Sequence, residues 1–484
     1  MDDGLELSKS KLDQVGELVK GFILAYFREM NQGPISPENL SASEVREKIS
    51  EPLPEQAQDV DRAWQDFLQR VAGQSVRVGH PRFLAWIRTS PLAGAVYAEA
   101  LAAALNQSVA VWDGAPAATE VEKQVLEWLI EISGFHPDGS GILTSGGSMA
   151  NFSGLLAARS AVYPAVRRHG LREGPALAVY LTSQTHYSVH KSLEMMGLGR
   201  EAIREIPVDG QLKMDAHSLR EHIQSDRQAG VRPIAVVATV GTTSTGICDD
   251  VRKISRVCRE EDVWLHVDGA YGGFAALVPD REQVLAGIRG ADSFVLDPHK
   301  NLFMPFEAGC LLVRDPDHLR AAFGVVTDYL PNTEDGRGEE ARGRHHFRDY
   351  GPQLSRSFRA LKIYLSLKLY GVQAIAGEIE RQYHLAGVFA DKLRAAEDFE
   401  LIAEPELGVV AFRCMPGGLS GQVELNRLQK DVVDRLQRRG KVYLSRVEVQ
   451  GRAGLRACFV SHRTRLPHLD QVLDEVRNVV DGLL

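Results

Sequence analysis

From about residue 90 onward the sequence alternates between short runs of aliphatic and β-branched residues and amphipathic stretches of helical length. The runs are Leu177 to Leu181, Ile234 to Thr239, Val263 to Val267, Ser293 to Leu296 and Cys310 to Val313. Runs this short and this apolar read as strands covered on both faces, and the helix-length links between them read as crossovers. The pattern therefore predicts an α/β fold with a mainly parallel sheet and helices on both sides. In such sheets the loops at the carboxyl ends of the strands carry the function. Several of the runs are followed at once by Thr, His or Asp, so the chemistry is expected at that edge.

The chain has 484 residues, long for one compact domain, which suggests one large domain with smaller additions. A hydrophobic fraction of 44% with 25% charged residues is that of an ordinary globular protein that needs no disulfide or metal staple. The formal net charge of −8 argues against nucleic acid or an anionic membrane as the main partner. Five scattered cysteines with no CxxC pair suggest neither a zinc site nor a disulfide framework, but reduced thiols buried in a cytoplasmic protein. The chain opens Met1-Asp2-Asp3 without the basic and apolar regions of a signal peptide, and no apolar stretch approaches the ~20 residues of a membrane span.

Helical spacing marks residues 5 to 30 and again Val60 to Val71, with a Pro- and Ser-rich joint from Gly33 to Pro54 between them. This part has too few large apolar residues for a core of its own. Residues 1–85 are accordingly expected to form a helical segment packed on a partner subunit, and 86–375 the large α/β domain. Helix, strand and helix patterns after Gln373 suggest a small α+β domain over 376–484. The polar, Gly-bearing stretch from Pro331 to Arg348 reads as disorder or a mobile lid, and Tyr329 at its start favours the lid.

Three segments carry chemistry. Thr144-Ser145-Gly146-Gly147-Ser148-Met149-Ala150-Asn151 precedes an Ala- and Leu-rich helix, and small residues there let backbone N–H groups approach a phosphate. A mere tight turn reads the same way. Asp268, in His266-Val267-Asp268-Gly269-Ala270-Tyr271, ends an apolar run and can bond a ring N–H⁺, with Ala270 leaving room beneath a flat ring; a helix cap is the plainer reading. Lys300, in Asp297-Pro298-His299-Lys300, follows another apolar run, where a lysine kept from water is an amine nucleophile toward an aldehyde; a surface loop lysine is the alternative. Together, and in this order on an α/β sheet, the three are what pyridoxal phosphate (PLP) requires.

The ordered set of motifs resembles fold-type-I PLP enzymes, and within them the aromatic-L-amino-acid (group II) decarboxylase family, which also includes diaminobutyrate and glutamate enzymes. The resemblance spans about His80 to Tyr370 and rests on His80 to Phe83, Asn106-Gln107, Pro116 to Glu120, the Ser145 to Ser148 run, Thr185 to Ser188, Ala238 to Gly246, His266 to Gly273, Asp297 to Lys300 and Ser355 to Lys362. It implies Lys300 as the Schiff-base lysine, Asp268 on the pyridine nitrogen, and Gly147 and Ser148 on the phosphate. It further implies His186 stacked over the cofactor, Thr243, Ala270 and His299 beside it, and Thr89 and Trp86 near the substrate. Tyr329, supplied by the partner subunit of a homodimer, would protonate Cα. The reaction implied is decarboxylation of an L-amino acid to the amine and CO₂. Oxidative deamination to an aldehyde is the alternative, and Tyr329 and His186 together argue for the amine.

The chain departs from the family pattern at Met149, Gly269 and Asn301, where Glu, Ala and Trp are common. Asp297 stands where animal members have Asn, and an anion there would repel phosphate unless protonated or turned away. Ser108 and Ala110 replace the Ile and Phe of an animal ring pocket, so a non-aromatic substrate such as 2,4-diaminobutyrate stays open beside an aromatic one.

Overall fold

The computed structural model describes residues 5–36, 41–172, 174–324, 344–419 and 421–484. Its contacts fall into two units, one of Ile87–Asp391 with Ala403–Ala411 and one of Met1–Trp86, Lys392–Ile402 and Phe412–Leu484.

The larger unit is built on seven strands: Ser140–Thr144 (β1), Leu177–Leu181 (β2), Ile203–Glu205 (β3), Arg232–Thr239 (β4), Trp264–Asp268 (β5), Ser293–Leu296 (β6) and Gly309–Val313 (β7). Their order in the sheet is β1-β7-β6-β5-β4-β2-β3. Strands β2 to β6 pair in parallel. Every residue of β2, β5 and β6 is buried, as the uninterrupted apolar runs require. Crossover helices show the complementary pattern. Helix Val251–Glu260 buries Val251, Ile254, Val257 and Cys258, an i, i+3, i+6, i+7 stripe that lays one face on the sheet.

The sheet is mainly parallel, as expected, with one exception. Strand β7 runs antiparallel to both β6 and β1. Its link from β6 is only Asp297 to Ala308, around the lower limit for a parallel crossover, and the chain turns back directly. Two strands escaped the sequence reading. β1 carries a glycine and two hydroxyl residues among its five, and β3 has three residues at the sheet edge, so neither forms a clear apolar run. Because β1 opposes β7 and β7 opposes β6, β1 points the same way as the parallel strands, and its carboxyl end lies on the same edge as theirs.

A second, antiparallel sheet pairs Phe399–Leu401 (β8) with the last three residues of Val409–Cys414 (β9), and Ser445–Val449 (β10) with Arg452–Cys458 (β11). Helices Gln422–Arg439 and Leu466–Asp481 bury the stripes Leu425, Leu428, Val432, Leu436 and Leu469, Val472, Val476, Val479. The N-terminal helix Lys9–Arg28 has no buried residue. Its Phe22 meets Trp64 and Phe67 of the second predicted helix edge-on, with centroids 6.1 and 5.3 Å apart. The joint between them holds a short helix, Ala42–Ile49, started by a reciprocal Ser41–Glu44 capping box. All five cysteines are buried and free. Among the described residues no helix is long and apolar enough to cross a membrane, and no cluster of His, Cys, Asp or Glu is arranged to hold a metal.

Candidate active site

Five strands of the large sheet deliver polar residues to one edge. β1 leads through Ser145 and Gly146 into helix Gly147–Val162, β2 leads to His186, β4 to Thr243, β5 ends on Asp268, and β6 leads to Lys300. A cavity of about 410 Å³ opens there. Gly147, Ser148, His186 and Thr243 line it together with Asp268, Ala270, His299 and Lys300. A larger hollow, about 870 Å³, lies at the opposite ends of β4 and β5 and is lined by arginines, without lysine or any of these groups. The chemistry belongs to the smaller cavity.

The glycines of the first segment are required by close approach. A Cβ on Gly147 would lie 2.9 Å from Asp297 Oδ2, and one on Gly309 would lie 2.4 Å from the Cα of Gly146. Gly147 and Ser148 are the first two residues of their helix, where N–H groups have no intrahelical acceptor and the dipole favours an anion.

Asp268 is buried and accepts two hydrogen bonds. The Ala270 N–H donates to Oδ1 at 3.1 Å, and Asn151 Nδ2 donates to Oδ2 at 2.9 Å. Each oxygen retains a lone pair for a further donor. His186 caps helix Tyr187–Met195: its Nδ1 accepts from the Ser188 N–H and lies 2.7 Å from Ser188 Oγ. Burial lowers its pKa, opposed by Asp268 and helped by Lys300, which favours the neutral imidazole.

Lys300 sits on the single turn Pro298–Asn301, its Nζ 3.0 Å from Asp297 Oδ2. His299 Nε2 is 3.6 Å from the same oxygen, and its Nδ1 accepts from the Ala308 N–H at 3.2 Å. Burial lowers the His299 pKa as well, with Asp297 opposing. Asp297 thus turns one oxygen toward Lys300, while its Oδ1 is buried without a partner among the described residues. Thr239 Oγ1, also in the cavity wall, is likewise buried and unpartnered. These are polar atoms that a bound group can satisfy.

Three residues expected near the substrate are not among those that line the cavity or are not described. Thr89 is buried and donates to the His299 carbonyl at 3.2 Å, behind the cavity wall and not in it. Trp86 packs against Phe83 and Tyr443 and does not line the cavity. Tyr329, with Pro331 to Gly343 of the expected lid, lies outside the described residues. Conversely, Asn151, Thr239, Tyr271, Phe306 and Glu307 line the cavity without having been singled out. Asn151 was legible, since it stands four residues after Gly147 on the same helix face.

Behind the cavity His266 is fully buried, and burial lowers its pKa to about 4. An unfolded histidine titrates near 6.5. Between those values the unfolded chain takes up a proton that the folded chain refuses, so stability falls as pH drops from about 6.5 toward 4 and is unaffected above that window. His80 and His345, also lowered to about 4 mainly by burial, act in the same sense. The melting temperature of the apoprotein is expected to decline below about pH 6.5, and less steeply in His266→Gln; a flat profile would contradict this.

A lysine amine, a buried carboxylate and a helix start on one sheet edge can hold an aldehyde, a protonated ring nitrogen and a phosphate, the three handles of PLP. Comparison with known proteins gives the same class. The model of the pyridoxal-dependent decarboxylase conserved domain matches residues 42–415, and the chain belongs to that family. It is similar to the aromatic-L-amino-acid decarboxylase of Bacillus atrophaeus, 32% identical over 481 residues that cover 99% of this chain and 98% of that one. It is also similar to the structure of Oryza sativa TDC with PLP and tryptamine, at a TM-score of 0.92 and 26% identity over 99% of both chains. The crystal structure of Rhodiola rosea 4-hydroxyphenylacetaldehyde synthase matches at a TM-score of 0.88 and 25% identity, over 98% of this chain and 99% of that one. The family, fold and cofactor implied by the sequence motifs are those found, and the chain is a PLP-dependent amino-acid decarboxylase.

Proposed function

We propose that this enzyme converts an aromatic L-amino acid to the corresponding amine and CO₂, with Lys300, Asp268 and His186 as its catalytic residues. The observation that carries the reading is the meeting of these three side chains with the Gly147–Ser148 helix start in one cavity. PLP, when bound, supplies an electron sink for the pair left by the departing carboxylate. Lys300 would hold its aldehyde carbon, Asp268 the proton on its ring nitrogen, and Gly147 and Ser148 its phosphate. Thr243, Ala270 and His299 would complete the binding site. Ile87 and Phe306 give the cavity an apolar wall, which favours an aromatic substrate over a charged one such as 2,4-diaminobutyrate.

The functional unit would be a cytoplasmic homodimer. Supporting this, Leu5, Leu7, Leu12, Val19 and Leu24 are all exposed along the N-terminal segment, an apolar surface of the kind a partner subunit covers. Residues 1–85 would make that contact, and Tyr329 would reach the partner's cavity to protonate Cα, while Thr89 would support the site through its bond to the His299 carbonyl. The test is a screen of all proteinogenic amino acids, DOPA and 2,4-diaminobutyrate, with amine, aldehyde and ammonia quantified. An aromatic substrate giving amine is expected. Similarity to an aldehyde synthase makes aldehyde with ammonia the competing outcome.

Tyr329→Phe is expected to lower amine formation by about 10²–10⁴-fold, the usual contribution of one placed proton donor, and to raise the share of aldehyde. PLP and substrate affinity should change little. Mixing inactive Lys300→Ala subunits with Tyr329→Phe subunits should restore activity, since some hybrid cavities regain both groups. A Tyr329→Phe variant that turns over normally to amine alone would remove the residue from the mechanism.

A further inference from the structure

A hydrogen-bond chain runs behind the cavity; Trp264, Ser293, His266, Asn151, Asp268 and Ser188 are buried, and His186 at its end is half-buried. Trp264 Nε1 donates to Ser293 Oγ at 2.8 Å, and Ser293 Oγ lies 2.7 Å from His266 Nδ1. His266 Nε2 lies 2.8 Å from Asn151 Oδ1. Asn151 Nδ2 donates both to Asp268 Oδ2 at 2.9 Å and to Ser188 Oγ at 3.1 Å, and Ser188 Oγ is 2.7 Å from His186 Nδ1.

The chemistry of the end groups fixes the direction of every link. A carboxylate only accepts, so the Asn151 amide must turn its NH₂ to Asp268 and its oxygen to His266. His266 must then carry its proton on Nε2, and its free Nδ1 accepts from the Ser293 hydroxyl, which in turn accepts from the indole. At the other end the Ser188 N–H already donates to His186 Nδ1, so that nitrogen is unprotonated and accepts from the Ser188 hydroxyl as well. The ring proton of His186 is therefore on Nε2. Flipping the Asn151 amide would set its oxygen against the Asp268 carboxylate, which can only accept, so the chain has one arrangement.

We infer that Asn151 is a positioning residue: oriented by His266, it holds the Asp268 carboxylate and, by donating to Ser188 Oγ, directs that hydroxyl's own proton to His186 Nδ1. One side chain thereby ties the group assigned to the ring nitrogen to the imidazole that shares its cavity. The inference rests on the proposed role of Asp268 toward PLP.

The test titrates PLP into the apoenzyme of the full chain and compares dissociation constants, with thermal melting as the check on folding. Asn151→Ala should weaken binding by about 10–100-fold, the range seen when a group that orients a ligand's partner is removed. Asn151→Asp has nearly the native shape but places an acceptor against Asp268, so it should bind more weakly than Asn151→Ala. A packing role predicts the reverse order. His266→Gln, whose amide N–H can replace Nε2–H, should stay close to wild type, whereas His266→Phe should fall with Asn151→Ala. If Asn151→Asp does not fold, Asn151→Thr, which keeps one donor, takes its place and should lie between wild type and Ala. Wild-type affinity in Asn151→Ala, an Asp variant that binds better than the Ala variant, or a Thr variant no better than Ala would overturn the inference. Failure of the wild-type protein to bind PLP would strike the assignment of Asp268 instead.

Discussion

Lys300→Ala is expected to abolish turnover and to leave no borohydride-reducible link between protein and PLP. Lys300 is the one lysine lining the cavity among the described residues, so no neighbouring primary amine stands ready to replace it. Its Nζ is held by the buried Asp297 at 3.0 Å, and the side chain is 22% exposed, reachable from the cavity yet largely out of water. Such a lysine is a nucleophile by position as well as by type. Removing it leaves the Asp297 carboxylate with His299 at 3.6 Å as its nearest partner, which should cost on the order of 1–3 kcal/mol of stability. The melting temperature should therefore fall with the activity, and the two effects need separating. Lys300→Arg does so: it keeps a cation beside Asp297 and removes the primary amine, so it should regain stability and stay inactive. Steady-state turnover in either variant at a substantial fraction of wild type would remove Lys300 from the chemistry.

The strand runs were legible because buried parallel strands have no polar face to conceal, and the residues following β2, β4, β5 and β6 could be placed on one edge before any coordinates. Strand β1 was not legible, since Ser140 and Gly141 dilute a five-residue run, and nothing local shows that β7 turns back against β6. The polarity of β7 matters for function: it aims β1, and with it the Gly147 helix, at the edge where Asp268 and Lys300 stand. Asp297 illustrates a different limit. Its type suggested a conflict with phosphate, but only the folded chain shows one oxygen turned to Lys300 and the other buried without a partner among the described residues. Asn151 and His266 were missed for a third reason: spacing put Asn151 on the Gly147 helix face, but the partners that give both residues their roles come from a helix and two strands meeting in space.

Asp268→Asn is expected to lower kcat by about 10²–10³-fold, the usual cost of losing one group aimed at developing charge, while PLP affinity falls much less. A charge-assisted hydrogen bond of this type contributes about 1.5–3 kcal/mol, and most of it should be felt as the Cα–carboxylate bond breaks and the ring takes up electrons. The local geometry sharpens the expectation. Asp268 offers an acceptor to each of two fixed donors, the Ala270 N–H and the Asn151 NH₂. An asparagine has one acceptor and one donor end, so it must set its own NH₂ against one of them whichever way it turns. The substitution therefore loses the negative charge and also unsettles Asn151, whose amide orientation is imposed by that charge. Asp268→Glu keeps the charge but lengthens the side chain, and should recover part of the rate if charge is what matters. Measuring kcat, KM and the PLP dissociation constant for both variants distinguishes the cases. A rate loss matched by an equal loss of PLP affinity would make Asp268 a binding group only, and unchanged turnover in Asp268→Asn would remove it from the reaction altogether.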